Sequence, residues 1–203
     1  MRRIPLSRRS HVTGFQGLPS GAVAYESALE RDFVLLTLFD DPAVRIRSQP
    51  ITFNFDHEGR HRRYTPDYLV EGGGRVELVE VKYEADLQRL RAQLQPGFDV
   101  ARDWVAQSGG IFCVVTERTI RVPRLLNARR LLPLRSAPVD CELAHTVTQA
   151  AKQIETPTFG RVVEAVKGDR AQVLGAVWRL IARGELIVDL SEPIGLATMV
   201  TAR

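Results

Sequence analysis

Thr65-Pro66-Asp67-Tyr68 is followed, thirteen positions after the aspartate, by Glu80-Val81-Lys82. Extended patterning around both blocks predicts that Asp67 lies on one arm of a hairpin and Glu80 on the other. Residues 80 and 82, two apart on a strand, emerge from the same face. Two carboxylates and an ammonium therefore converge. Hard oxygen ligands such as Asp67 and Glu80 suit Mg²⁺, which polarises a phosphate and lowers the pKa of a bound water. Lys82 would orient or deprotonate that water, or neutralise charge developing on the phosphorane. The chemistry expected is metal-assisted phosphodiester hydrolysis. A plainer reading fits the same three residues: an Asp after Pro at a turn, and an exposed same-face ion pair on an edge strand. Val79 and Val81 tip the balance, because they flank Glu80 as in a buried strand, where an acid without a partner is costly. An upstream helical glutamate offers a third ligand.

The elements that must position these groups follow from periodicity. Residues 1–20 hold Arg2, Arg3, Arg8, Arg9 and His11 with few large apolar groups and read as a basic N-terminal arm. From Ala22 to Phe39, Leu29, Phe33, Leu36 and Phe39 recur at helical steps, ending before Asp41-Pro42. Val44–Arg47 and Ile51–Phe55 read as short strands, with a polar turn at Asp56-His57-Glu58-Gly59. Arg62–Val70 and Val76–Lys82 are further strands, made neighbours by the Glu71-Gly72-Gly73-Gly74 turn. Leu87, Leu90 and Leu94 begin a helix that Pro96-Gly97 interrupts; Val100, Trp104 and Val105 resume it, before the buried strand Ile111–Thr116.

Beyond that strand, residues 118–139 contain Arg118, Arg121, Arg124, Arg129, Arg130, Arg135, three prolines and no acid. They read as a basic connector over 121–139 whose arginines contact DNA phosphates or a partner, with binding that weakens as salt rises. A solvated linker is the bland alternative. Residues 140–203 predict three helices, near 142–154, 158–166 and 171–183, then strands at 186–190 and 196–201. Asp169 is placed to cap the third helix. Three helices and then a hairpin is the order of a winged helix, although the balanced charge of this part favours protein contact at least as much as DNA reading. His57 and His61 sit at a hairpin tip and fit a solvated turn better than zinc. Trp104 and Trp178 read as core residues.

Composition agrees with a folded, soluble chain. Of 203 residues, 44% are apolar and 26% charged, which excludes disorder along most of the length. The formal charge is +4. Residues 1–140 carry 21 basic and 17 acidic groups, and the rest seven of each. Two cysteines, Cys113 and Cys141, are too few for a disulfide framework or a four-thiolate zinc site, and Cys113 lies in an apolar run. No apolar stretch is long enough to span a bilayer, so a cytoplasmic location without membrane contact is expected.

Taken together, four blocks resemble a known family. Tyr25-Glu26-Ser27-Ala28-Leu29-Glu30-Arg31-Asp32-Phe33, Ser48-Gln49-Pro50-Ile51, Arg63-Tyr64-Thr65-Pro66-Asp67-Tyr68-Leu69-Val70 and Val79-Glu80-Val81-Lys82 occur in order. The chain is thereby similar to the TnsA-type endonuclease subunit of heteromeric transposases, within the PD-(D/E)XK nuclease superfamily. The resemblance covers residues 7–120. It implies an α/β restriction-endonuclease-like fold over residues 21–120, a mixed sheet flanked by helices, followed by the winged-helix-like domain of residues 140–203. It makes Glu30 the helical acid (Glu26 less so), Asp67 the central metal ligand, Glu80 the second ligand and Lys82 the catalytic lysine. Where some members carry glutamine this chain has Glu80, nearer the superfamily pattern. Gln49 has a structural or positioning place in its block. Mg²⁺ is the implied cofactor, with Mn²⁺ able to substitute. The implied substrate is double-stranded DNA at transposon 5′ ends, and the implied partners are an integrase-type transposase subunit and an AAA+ ATPase regulator. A stand-alone restriction or repair nuclease of the same fold, and a non-catalytic DNA-binding or assembly module, are the rival readings.

Overall fold

Short strands, and helices that mostly open on a side-chain cap, make up the protein in a computed structural model that describes residues 12–18 and 21–203. The chain divides into two units, residues 1–121 and 122–203.

In the first unit β1 (Gly14–Leu18) and β2 (Gly21–Tyr25) form an antiparallel hairpin. Helix α1 (Ala28–Asp40) follows. The helix expected from Ala22 thus begins six residues later. Its start is written in a capping box, Ser27 with Glu30, in which the Ser27 hydroxyl accepts from the Glu30 N–H at 3.1 Å. Residues 14–18, expected in the basic arm, are strand. Arg2, Arg3, Arg8, Arg9 and His11 lie outside the described residues.

Then come β3 (Arg45–Ser48), β4 (Phe53–His57), β5 (Arg60–Tyr64), β6 (Tyr68–Gly72), β7 (Arg75–Val81), α2 (Glu84–Ala106), β8 (Ile111–Val115) and α3 (Glu117–Ile120). The sheet order is β3-β6-β7-β8, antiparallel except for β7 and β8, which run parallel and are joined through α2. The β6–β7 turn uses Gly73 and Gly74 at φ of 56° and 76°, a region that residues with a Cβ rarely enter. Strands β4 and β5 pair with each other as a separate ribbon.

Leu69 of β6 and Leu78 of β7, paired across the register, pack with Phe53, Ala101 and Val105 on the α2 side. Their neighbours Tyr68 and Val79 alternate to the other face, where the Tyr68 ring lies 5.5 Å from Phe33 of α1. The sheet is mixed and covered by a helix on each face. Helix α2 runs unbroken through Pro96-Gly97, against the expected interruption. Proline forfeits one helical hydrogen bond, but the packing of Phe98, Ala101 and Val105 holds the helix together. A Cβ at Gly97 would stand 2.7 Å from Tyr64 Cγ, so the glycine lets the helix close on that ring.

The second unit is helical: α4 (Pro123–Leu131), a 3₁₀ turn (Leu132–Leu134), α5 (Cys141–Gln153), α6 (Phe159–Ala165) and α7 (Arg170–Arg183). The stretch expected as a connector therefore holds a helix. Pro123 sits in its first turn, where the missing N–H costs nothing, and Leu125, Ala128 and Leu131 are buried at three-residue steps. Asp140, Thr158 and Asp169 cap α5, α6 and α7 with their side chains. The expected terminal hairpin is reduced to β9 (Leu186–Ile187) against β10 (Thr201–Ala202), two residues each. The loop between them is held instead by buried Asn127. Its amide donates to Leu190 O and Glu192 O at 3.1 and 2.8 Å, and its carbonyl accepts from Ile194 N at 3.1 Å.

Among the described residues, no helix is long and apolar enough to cross a membrane.

Candidate active site

Asp67 directly precedes β6, and the next residue, Tyr68, pairs with Val79, so Asp67 lies across from the end of β7. Its Oδ2 accepts from the Val81 N–H at 2.7 Å, and its backbone carbonyl accepts from Gln49 N at 2.7 Å. Glu80 is 2% exposed on β7, and both its oxygens are engaged: Lys82 Nζ lies 2.8 Å from Oε1, and the Tyr64 hydroxyl donates to Oε2 at 2.8 Å. Glu80 and Lys82 share a face, as their spacing predicts. Lys82 is fixed at its backbone too, its N–H donating to Val115 O of β8 at 3.0 Å. Just beyond, Glu117 Oε2 accepts from Glu84 N at 2.9 Å and caps α2, for which the side chain of Tyr83 provides no bond.

Glu30 approaches from α1. Its Oε1 accepts from the Ser27 hydroxyl at 2.9 Å, its Oε2 from the Glu26 N–H at 2.7 Å, and the Tyr68 hydroxyl lies 3.3 Å from Oε2. Glu26 accepts from Gln49 Nε2 at 2.9 Å. Gln49 thus bridges the start of α1 to the backbone of Asp67, from a left-handed conformation (φ 46°) that a residue with a side chain seldom adopts.

The electrostatics follow from this crowding of acids. Burial pushes the Asp67 carboxyl well above the usual carboxylate range. The charges of Glu80 and Glu30 push the same way, against the Val81 N–H and Lys82. Burial alone would lower the Lys82 ammonium, but Glu80, with Asp67 and Glu30 behind it, carries it net upward. Lys82 is therefore a cation at neutral pH. Tyr64 and Tyr68 are raised by burial and by the carboxylates they face, and act as neutral donors.

A divalent cation fits this donor set: the oxygens are hard, and burial disfavours the ionised form of Asp67, which a cation would offset. Asp67 and Glu80 would hold it, with Glu30 nearby. Among the described residues, no group of three or more His, Cys, Asp or Glu side chains is arranged to hold a metal by itself.

Residues 40–117 match the family model described as TnsA-like endonuclease N terminal. This segment is TnsA-like. Asp67, Glu80 and Lys82 lie inside the TnsA-like segment and Glu30 lies before it. No curated protein sequence matches the chain.

The arginines expected on DNA are divided between the two units. Arg118 is exposed on α3. Arg121 is occupied: its Nε lies 3.4 Å from buried Asp32, its Nη2 donates to the Tyr83 hydroxyl at 3.1 Å, and its guanidinium lies over that ring. Arg124, Arg129 and Arg130 lie on α4, and Arg130 stacks 4.6 Å from the centre of the Trp178 ring. Trp104 packs edge-on against Phe53 in the core, and His61 faces Asp56 at 3.2 Å. Periodicity did not mark Tyr64 and Tyr68 as contacts of the site. They flank Asp67 in Tyr64-Thr65-Pro66-Asp67-Tyr68, and that nearness in sequence was the available signal.

Proposed function

We propose that the chain is a Mg²⁺-dependent DNA endonuclease that acts at transposon 5′ ends as the nuclease subunit of a heteromeric transposase. One observation carries this reading: Asp67, Glu80 and Lys82 cluster at the β6–β7 strand ends within the TnsA-like segment. Asp67 and Glu80 would hold the cation and Glu30 would complete its surroundings. When bound, such an ion polarises the scissile phosphate and acidifies a water. Lys82, protonated, orients that water and offsets the charge that builds on the phosphoryl oxygens. The water oxygen bonds to phosphorus as the bond to the 3′ oxygen breaks, and that oxygen takes up a proton. A 5′ phosphate and a 3′ hydroxyl remain.

The bonds of Glu80 to Tyr64 and Lys82 orient its carboxylate, as metal ligands are commonly held from behind, and the TnsA-like match favours a transposase subunit over a free-standing nuclease. An integrase-type subunit would cut and join the other strands, under an AAA+ ATPase. The test is cleavage of duplexes carrying candidate transposon ends, with and without the partner subunit, in Mg²⁺ or EDTA. Cutting by wild type in Mg²⁺ alone, lost in Asp67→Ala and Lys82→Ala, is the expected result. Cutting that survives either substitution would sink the assignment, and efficient cutting without any partner would favour the stand-alone nuclease.

A further inference from the structure

Strand β5 reads Arg60-His61-Arg62-Arg63-Tyr64, and the ribbon it forms with β4 carries a surplus of cations beside the candidate site. The pairs Asn54–Arg63 and Asp56–His61 are exposed on one face, while Phe53, Phe55 and Tyr64 of the other face pack toward α2; Arg62, opposite Phe55, shares that second face and is half-buried, and Arg60, opposite His57 near the tip, is exposed. The acids near the tip each have a histidine neighbour: His61 lies 3.2 Å from Asp56, and His57 lies 3.9 Å from Glu58. Among the described residues no carboxylate pairs with Arg60, Arg62 or Arg63, whereas Arg47, Arg89, Arg102 and Arg121 of the same unit each face one.

A guanidinium without a carboxylate remains open to a phosphate, which its planar fork binds through two hydrogen bonds. Position adds to charge. The strand ends on Tyr64, whose hydroxyl holds Glu80, and the chain then runs directly into Asp67.

We propose that the exposed face and tip of the β4–β5 ribbon dock duplex DNA, with Arg63 and Arg60 on the phosphates beside the strand presented to Asp67 and Glu80 and half-exposed Arg62 adding to their charge. The choice of DNA as occupant rests on the nuclease reading above; the surface rests on the unpaired arginines.

The test is fluorescence anisotropy of a labelled duplex with the full chain, in EDTA, over a series of salt concentrations. The variant Arg60→Gln/Arg62→Gln/Arg63→Gln is compared with a charge-matched control, Arg45→Gln/Arg75→Gln/Arg91→Gln, which removes exposed arginines of the same unit. Wild type and control should bind alike. The ribbon variant should bind roughly tenfold more weakly at about 0.1 M salt, its logarithmic salt slope shallower by about 0.9 for each phosphate it no longer neutralises. Should the triple variant misfold, Arg60→Gln/Arg63→Gln, which changes only exposed positions, should still lower the slope. Equal binding by wild type and ribbon variants overturns the proposal, as does an equal weakening in the control, or a wild type that binds no duplex and so leaves the ribbon to a protein partner. Binding through the ribbon without cleavage in Mg²⁺ and partner would sink the nuclease reading alone, since the anisotropy assay contains no metal.

Discussion

Asp67 is a carboxyl that the fold holds against its own charge. Burial and the charge of Glu80 raise its carboxyl well above the usual range. A carboxyl raised by folding stabilises the fold while protonated, and that gain disappears as pH climbs through its folded value. Ionised Asp67 therefore costs the metal-free protein stability at neutral and alkaline pH. Asp67→Asn removes the charge and keeps an oxygen for the Val81 N–H. In EDTA it should melt above wild type at about pH 8, the gap closing as acid protonates the wild-type carboxyl. It should also lose Mn²⁺ binding by calorimetry. A variant that melts lower at alkaline pH would mean that the anion is already well compensated. Asp67, Glu80 and Lys82 are legible in the sequence because period two sets their face. Tyr64, Tyr68 and Gln49 are not, since a hydroxyl's partner depends on strand register and helix approach, and Gln49's role depends on a left-handed backbone that no local pattern announces.

Helix α2 matters to the site through a missing side chain. Its Gly97 leaves room for the Tyr64 ring, and the Tyr64 hydroxyl holds Glu80. Gly97→Ala should drive a methyl into that ring and destabilise the protein by about 1–3 kcal/mol, the usual cost of overpacking. It should also weaken Mn²⁺ binding. Tyr64→Phe, which keeps the ring and deletes only the hydroxyl, should weaken Mn²⁺ affinity by about tenfold with little change in melting, as expected for a group that orients a ligand. Unchanged calorimetry in both variants would detach the helix from the site. Strand alternation and the glycine turn make β6 and β7 readable, but Pro96-Gly97 reads as a break because local propensity carries no information about the ring packed beside it. The start of α1 was available in Ser27 and Glu30, yet the apolar steps from Ala22 masked it.

At the scale of the whole molecule, the arginine-rich stretch after Arg118 shows how composition can hide a fold. Charge and proline content describe a linker, while Leu125, Ala128 and Leu131 build a buried helix face and Asn127 anchors a distant loop. That anchoring depends on tertiary contact and leaves no local trace. Asn127→Ala should leave the buried Ile194 N–H without its partner, at about 1–3 kcal/mol, and release the Leu190 and Glu192 carbonyls, which lie nearer the solvent. The variant should melt earlier and be cut by protease between residues 188 and 200 before wild type is. Unaltered proteolysis would assign that loop's order to other contacts.

The parallel pairing of β7 with β8 also sets an order of events during synthesis. All four acidic and basic residues of the site have left the ribosome well before Val115, yet Lys82 is tethered to the Val115 carbonyl and α2 is capped by Glu117. Parallel neighbours must wait for the whole crossover between them, and such long-range closures form slowly. A nascent chain that ends inside α2 thus carries Glu30, Asp67, Glu80 and Lys82 but lacks the strand to which the lysine backbone is tethered, so the candidate site is assembled only after the rest of the unit has emerged.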